Sequence, residues 1–500
     1  MSDSNALRVP ATRWAQPQMP LQPNMLRGPM PAVPAAPPPA PARVIAEPPR
    51  DLAGVEHRVS TRIPTSKRLN YDPHEMAALQ IGHDAMQPGA IGGNDVAPEH
   101  HETTRNNVEK SYRSAINTLR VRYPHINTTN VSDAEAAERM INHMHNNIVF
   151  MWNKVRNEPW RDAAVDWYRG ANKIAKELSS QHGISHRQAA AVVANLSPQK
   201  DWDQNANLAE RLLKIRGEHQ ATAVTPEMMR VMQGLVEQRT PKTREALARY
   251  VRGIKEGDTL ASFADPIHQA LFIRAHDEAH NPDRSFQVIS PTGKRTPART
   301  KAGEDRSVAW GSIGEIASAL QALQHDELPN ISRSLGGNHK VRSFYNNIIA
   351  PDAPHGDVTA DTHAINVALM RPMGSKAFYV AHGLGTGGGG SNATGANGIY
   401  GLYADAYRRA ARTISELEQR RYLPREVQSV TWEAIRNMFE RQHKAVHETT
   451  LEPTHQVGRT ARDAWNAARY GLIPFEHARE LIYRTAGGVK TPAWHGVSNA

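Results

Sequence analysis

The stretch SLGGNHKVRSFYNNIIAPDAPHGDVTADTHAINVAL, residues 334–369, sets the architecture expected of this chain. It predicts a tight glycine turn, a helix, a loop, and a second helix that begins at an acidic residue. Lys340 lies at the turn and Asp361 at the start of the last helix. We expect the stretch AVVANLSPQKDWDQNANLAERLL, residues 191–213, to belong with it, because its small residues predict a central, buried helix that ends in a polar turn.

The composition limits the classes of protein to consider. The chain has 500 residues, a net charge of +10 and a pI of about 9.7. This balance favours a polyanion as partner, nucleic acid first, although a mildly basic surface alone would also explain it. There are no cysteines, which excludes disulfides and thiolate metal sites. No apolar run reaches membrane length and no secretion signal is present, so we expect a cytoplasmic protein and no membrane partner.

The sequence divides into four parts. Residues 1–55 are predicted to be a disordered tail, since residues 1–50 hold 13 of the 34 prolines. This tail is either a tether or a binding site for nucleic acid or another protein. Residues 56–102 form a linker, 103–448 a helical core, and 449–500 a C-terminal helical extension.

The pattern within the core predicts an all-α fold with one small insert. Residues 285–306 carry many cations around a Pro-Thr-Gly turn and predict a basic β-hairpin, which either contacts a nucleic-acid backbone or is simply solvated. Residues 382–401 contain nine glycines. They lack the lysine of a phosphate-binding loop, so we interpret them as a lid or a linker.

Three short motifs carry a resemblance to a known family. They are Leu196-Ser197-Pro198-Gln199 with Asp203 and Asn205, then the turn at 336–340, and then Ala360-Asp361-Thr362-His363. In this order they resemble the helix-hairpin-helix DNA glycosylase superfamily, with its endonuclease III-like fold. The match covers about sixty residues. Asn338 stands where the family has a second glycine, a position whose left-handed backbone asparagine tolerates.

The resemblance implies double-stranded DNA as partner, a flipped nucleotide, and chemistry at its base or N-glycosidic bond. It implies no cofactor, no metal and, without cysteines, no iron–sulfur cluster. The catalytic candidates are Asp361, Lys340 and His363. The DNA-binding candidates are Gly336, Gly337, Asn338, His339, Arg342, Gln199, Lys200 and Asn205. The candidates for a base pocket are Trp167, Tyr168 and Asn172, and the turn at 196–205 is expected to line the same pocket.

Each principal candidate also has a structural interpretation. Asp361 at a helix start can cap the helix, stabilise an oxocarbenium-like sugar, or do both. Lys340 can attack C1′ of a sugar as a desolvated amine, or end the turn and bind phosphate. His363 either orients Asp361 or a water, or is structural. Gln199 either probes the duplex or bonds locally within its turn, and Trp167 is either a pocket wall or a core residue.

The leading hypothesis is a DNA glycosylase-like enzyme, with or without abasic-site lyase activity, similar to phage-encoded relatives of the superfamily. One alternative is a phage enzyme of DNA base hypermodification, which joins an amino acid or amine to an activated pyrimidine. The other is a helical DNA-binding or virion-associated protein without catalysis. An open pocket beside Asp361, with Lys340 directed into it, would separate the enzymes from the binding protein.

Overall fold

The computed structural model describes residues 126–495 apart from 129, 132, 301, 337–338, 353–356, 376, 378 and 381–399. These residues are mostly helical, as predicted. The helices are α1 (Asp133–Lys154), α2 (Arg161–Val165), α3 (Trp167–His182), α4 (His186–Asn195), α5 (Trp202–Glu218), α6 (Pro226–Glu237), α7 (Pro241–Arg252), α8 (Pro266–His280), α9 (Ile313–Ala322), α10 (Leu328–Leu335), α11 (His339–Ile349), α12 (Thr362–Leu369), α13 (Tyr400–Glu418), α14 (Pro424–Met438), α15 (Gln456–Arg469) and α16 (Phe475–Thr485). No helix within this part of the chain is long and apolar enough to cross a bilayer.

Local sequence signals explain where several helices begin and end. Ser185 and Gln188 form the capping box of α4. Thr225 accepts a hydrogen bond from the Met228 amide at the start of α6, with proline in the first turn. Gly183 ends α3 in the left-handed conformation, at φ 61°. The sequence predicts one helix over 159–183, but the chain breaks at residue 166 and forms α2 and α3.

The buried apolar side chains form two clusters. The first joins α1 and α2 to α12–α16, and we call these elements the terminal lobe. The second joins α3–α11, and we call these elements the middle lobe. Trp465 of α15 is 2% exposed within the first cluster, so the helices of the predicted C-terminal extension belong to the core.

The predicted hairpin is present. Strands β1 (Gln287–Ile289) and β2 (Arg295–Pro297) pair antiparallel. The turn between them packs on α3 so closely that a Cβ at Gly170 would meet the Pro291 carbonyl oxygen at 1.8 Å. Two cations of this hairpin are paired with carboxylates, Arg295 with Glu210 and Arg299 with Asp305.

The sequence also predicts a helix at 103–124, at the start of the helical core, and this stretch lies outside the described residues. The tail and linker at 1–102 lie outside them as well, as does almost all of the glycine-rich segment 382–401.

Candidate functional site

A cleft opens between the two lobes. The empty space within and in front of it is about 450 Å³, a figure that includes open solvent. The middle lobe supplies α3, the turn after α4, α5 and α11, while the terminal lobe supplies α14 and the start of α12. The lining residues are Trp167, Tyr168, Ser197, Lys200, Trp202, Asn205, Lys340, Phe344, Thr359, Asp361, Gln428, Ser429 and Trp432.

Aromatic rings form much of the wall. Trp167 lies at the centre, with its ring centroid 4.8 Å from that of Trp202 and 6.1 Å from that of Trp432. Tyr168 lies 5.0 Å from Trp167, and Phe344 lies 6.1 Å from it. Such a wall suits a flat, conjugated ligand, because aromatic rings attract one another at these separations.

Asp361 is held in a fixed orientation at the edge of the cleft. Its Oδ1 accepts a hydrogen bond from the Ala364 amide at 2.9 Å and so caps α12. Its Oδ2 accepts a hydrogen bond from Nε1 of Trp432 at 2.8 Å. Asp361 therefore caps α12 and lines the cleft at the same time, because its two oxygens have different partners.

Lys340 directs its amine into the same cleft. Its Nζ donates to both the carbonyl oxygen and Oγ of Ser197, each at 2.9 Å. Burial lowers the pKa of Lys340 from its ordinary value of 10.5 to about 8, while Asp361 and Glu315 partly oppose this shift by stabilising the ammonium. A substantial fraction of the amine is therefore neutral, and so nucleophilic, near physiological pH.

Lys200 and Glu315 extend this charged region. Burial lowers the pKa of Lys200, and the Glu315 carboxylate opposes the shift. Burial raises the pKa of Glu315, and the hydrogen bonds from Ser312 and the charges of Lys200 and Lys340 oppose that shift. Two amines and one carboxyl with displaced pKa values therefore lie near one another, an arrangement more frequent at functional sites than elsewhere.

The polar residues of α5 divide into two groups. Asp203 accepts a hydrogen bond from the Ile289 amide of β1 at 2.7 Å, and burial raises its pKa. Asn207 exchanges hydrogen bonds with the backbone of Gln287. These two residues fasten the hairpin to α5. Asn205, between them in sequence, lines the cleft instead.

Three candidates lie away from the cleft lining. Arg342 is 2% exposed and donates to the Gly336 carbonyl oxygen in the turn before α11, so its guanidinium supports that turn, and its DNA-binding role stays a prediction. Asn172 donates to the Ile348 carbonyl oxygen, which ties α3 to α11. His363 packs edge-on against Trp432, and burial together with nearby cations lowers its pKa to about 3. It is a neutral imidazole, unsuited to act as an acid or base near neutral pH.

The remaining DNA-binding candidates lie in the turn after α4 and around the turn before α11. Gln199 is exposed in the turn between α4 and α5, with a left-handed φ of 56°. Gly336, at φ 62°, ends α10 before the start of α11. Gly337 and Asn338 lie outside the described residues, and His339 is the first residue of α11.

The sequence does not select five of the lining residues for the pocket. They are Phe344, Thr359, Gln428, Ser429 and Trp432. The helical spacing of Trp432 on α14 predicts a core residue at that position. This spacing is the available signal, and it does not distinguish a side chain that faces a core from one that faces a cleft.

Within the described ranges no group of three or more His, Asp or Glu side chains is arranged to hold an ion. The chemistry available from the side chains is that of an amine, a capped carboxylate and an aromatic wall. Such a set can stack a planar ring and attack or stabilise an electrophilic carbon attached to it.

Comparison with known proteins adds one relationship. No curated protein and no solved structure matches the chain. A family model described as a family of unknown function, DUF7178, matches residues 131–272 and 298–439, which together are more than half of the chain. The two matched segments include every residue of the cleft lining. The chain therefore belongs to this family of unknown function, DUF7178.

Proposed function

We propose that the protein is a DNA-processing enzyme of the glycosylase type, which draws a nucleotide from the duplex into the cleft and acts at its base or N-glycosidic bond. One observation carries the proposal. A Lys340 amine with a pKa lowered to about 8 and the oriented Asp361 carboxylate line the same cleft, whose wall is aromatic. A helix-hairpin-helix glycosylase fold is part of this proposal.

The aromatic wall supports a nucleobase as ligand. Enzymes that act on a base within a duplex must first remove it from the stack, and they hold the flipped base between aromatic or apolar side chains. Trp167, Trp202 and Trp432 offer such faces.

The carboxylate and the amine support cleavage at C1′. As the bond from C1′ to the base nitrogen breaks, positive charge develops on the sugar, and a fixed carboxylate such as that of Asp361 stabilises it. The neutral Lys340 amine can then attack C1′, and opening of the sugar ring gives a Schiff base. The departing base carries the bond's electron pair and takes up a proton.

The surroundings support DNA as the polymer. The chain carries a net charge of +10. Gly336 ends α10 in a positive-φ conformation just before the N-terminus of α11. Backbone amides at such a helix start are suited to a phosphate group. Contacts of this kind position a protein on DNA without reading its sequence.

The test is release of a base from DNA. Duplexes that contain uracil, 5-hydroxymethyluracil, oxidised bases or alkylated bases are incubated with the wild type and with Asp361→Asn. Asparagine is as good a helix cap as aspartate, so the variant removes the charge and keeps α12. We expect abasic product from at least one duplex with the wild type and none with the variant.

Borohydride separates the two roles of Lys340. Reduction traps a covalent protein–DNA complex if the amine forms a Schiff base, and Lys340→Met then prevents trapping. Tight, salt-sensitive binding with no product from any duplex would exclude the glycosylase. Base modification, in which an amine or amino acid is joined to an activated pyrimidine, would then be the better explanation.

A further inference from the structure

Asn205 is a buried polar side chain whose oxygen has no partner. The residue is 1% exposed and lines the cleft. Its Oδ1 meets no hydrogen-bond donor among the residues that the structure describes. Buried polar atoms in folded proteins nearly always have a partner, so an exception of this kind requires an explanation.

The two neighbouring polar side chains on the same helix, Asp203 and Asn207, do have partners. Asp203, two residues earlier, accepts from the Ile289 amide. Asn207, two residues later, bonds the Gln287 backbone through both ends of its amide. The helix therefore satisfies the polar groups that support the hairpin and leaves unsatisfied the oxygen at the cleft. This contrast indicates that a ligand, rather than the protein, supplies the missing donor.

The α14 side of the cleft offers a complementary group. The Tyr168 hydroxyl donates to Oε1 of Gln428 at 2.7 Å, inside the protein. Burial raises the pKa of Tyr168 well above its usual value, so the phenol keeps its proton. With Oε1 engaged, the Nε2 hydrogens are what Gln428 can offer to a ligand. The cleft thus presents an acceptor on α5 and a donor on α14, together with its aromatic faces.

We infer that Asn205 is the specificity-determining residue of the cleft, and that its Oδ1 accepts a hydrogen bond from an N–H group on the edge of the bound heterocycle. The substrate class is a nucleobase that carries a ring N–H or an exocyclic amino group. A base methylated at that nitrogen is disfavoured, because it leaves the buried oxygen unpaired. The inference deepens the proposed function and rests on it.

The experiment measures binding rather than turnover. Ligand-observed NMR titration compares deoxyuridine with N3-methyldeoxyuridine, and deoxycytidine with N4,N4-dimethyldeoxycytidine. For the wild type we expect the methylated member of at least one pair to bind about tenfold more weakly, the usual cost of an unsatisfied buried acceptor.

Two variants make the assignment specific. Asn205→Leu removes the acceptor at similar volume, so it should bind both members of that pair equally. It should be at least as thermally stable as the wild type, since it removes an unpaired buried group. Asn205→Asp keeps an acceptor oxygen and should keep the discrimination. Loss of stability in Asn205→Leu together with loss of discrimination in Asn205→Asp would indicate a structural residue instead.

The outcomes separate this inference from the proposed function. Equal binding of both members of each pair by the wild type, discrimination that persists in Asn205→Leu, or no binding of any nucleoside would overturn the inference. Discrimination without abasic product from any duplex would reject glycosidic cleavage and leave Asn205 as the specificity residue. Abasic product without discrimination would leave the proposed function intact and reject the role of Asn205.

Discussion

The indole nitrogen of Trp432 donates a hydrogen bond of 2.8 Å to Oδ2 of Asp361, which lies 71 residues earlier in the chain. The other carboxylate oxygen caps α12 through the Ala364 amide. The carboxylate therefore cannot rotate freely, and α14 and the N-terminus of α12 determine its direction together.

Replacement of Trp432 by Phe should reduce turnover. Phe keeps the aromatic face but removes the N–H donor, so Asp361 loses the contact that fixes Oδ2. A hydrogen bond to a charged group stabilises by about 1.5–3 kcal/mol, which corresponds to about a ten- to hundredfold loss in rate. Single-turnover base release measures the effect. Trp167→Phe, which removes no hydrogen bond to the carboxylate, is the control. Equal losses in rate in both variants would mean that the Trp432 indole serves only as part of the cleft wall.

Removal of Lys340 should change how stability depends on pH. Between pH 8 and 10.5 the unfolded chain holds a proton on this amine that the folded chain lacks, so the wild type gains stability as pH rises through this window. Well below pH 8 both states are protonated, and burial of the charge opposes folding. Between about pH 7.5 and pH 10, the free energy of unfolding of the wild type should therefore rise by up to about 3 kcal/mol relative to that of Lys340→Met.

Urea unfolding at the two pH values measures this difference. Lys340→Met also leaves the Ser197 carbonyl without its donor, but that cost is the same at both pH values and cancels. Lys173→Met, on an exposed part of α3, serves as the control and should give no such trend. A stability difference that does not change with pH would show that the amine is not desolvated.

His143 should make the protein sensitive to acid. Burial, with a smaller effect of Arg479, lowers the pKa of His143 to about 3. Between pH 6.5 and 3 the unfolded chain binds a proton there and the folded chain does not, so stability falls as pH falls. His143→Phe should flatten this decline by a few kcal/mol in denaturant titrations. The exposed His477→Phe should follow the wild type, and an unchanged decline in His143→Phe would contradict the assignment.

Gly170 should tolerate no side chain. A Cβ there would lie 1.8 Å from the Pro291 carbonyl oxygen, so Gly170→Ala must push the hairpin turn away from α3. We expect a loss of about 1–3 kcal/mol, the usual cost of overpacking. Gly217→Ala, with no atom near its Cβ, should instead stabilise α5 by up to about 1 kcal/mol. Thermal unfolding of both variants measures these changes in stability. Equal effects would mean that the contact between Gly170 and the hairpin turn does not contribute to stability.

Local signals predict much of the secondary structure. Caps and glycines act within one or two turns, which is why Thr225 and Gly183 can be placed from sequence alone. The break between α2 and α3 is not predicted, because the amphipathic pattern continues across it. The hairpin at 285–306 is predicted, but the carboxylates that pair with Arg295 and Arg299 are not, since a pattern of cations does not identify their partners.

The cleft is predicted in part. The motif order places Asn205, Lys340 and Asp361 in one site, and these residues do line one cleft. What the sequence cannot show is the partner of each group. The bond between Lys340 and Ser197 joins residues 143 positions apart, and the burial of Arg342 depends on the fold of a whole lobe. Neither contact produces a periodic pattern in the amino-acid sequence.

The terminal lobe has a consequence for the order in which the protein is made. Met144, Ile148 and Met151 of α1 are fully buried in a cluster that includes α13 and α14, which a ribosome produces only after the whole middle lobe. Domains generally fold as units during synthesis, and apolar surface that waits for its partner is prone to aggregate. The middle lobe can therefore fold first on the nascent chain, while the apolar face of α1 lacks its partners until α13 and α14 emerge.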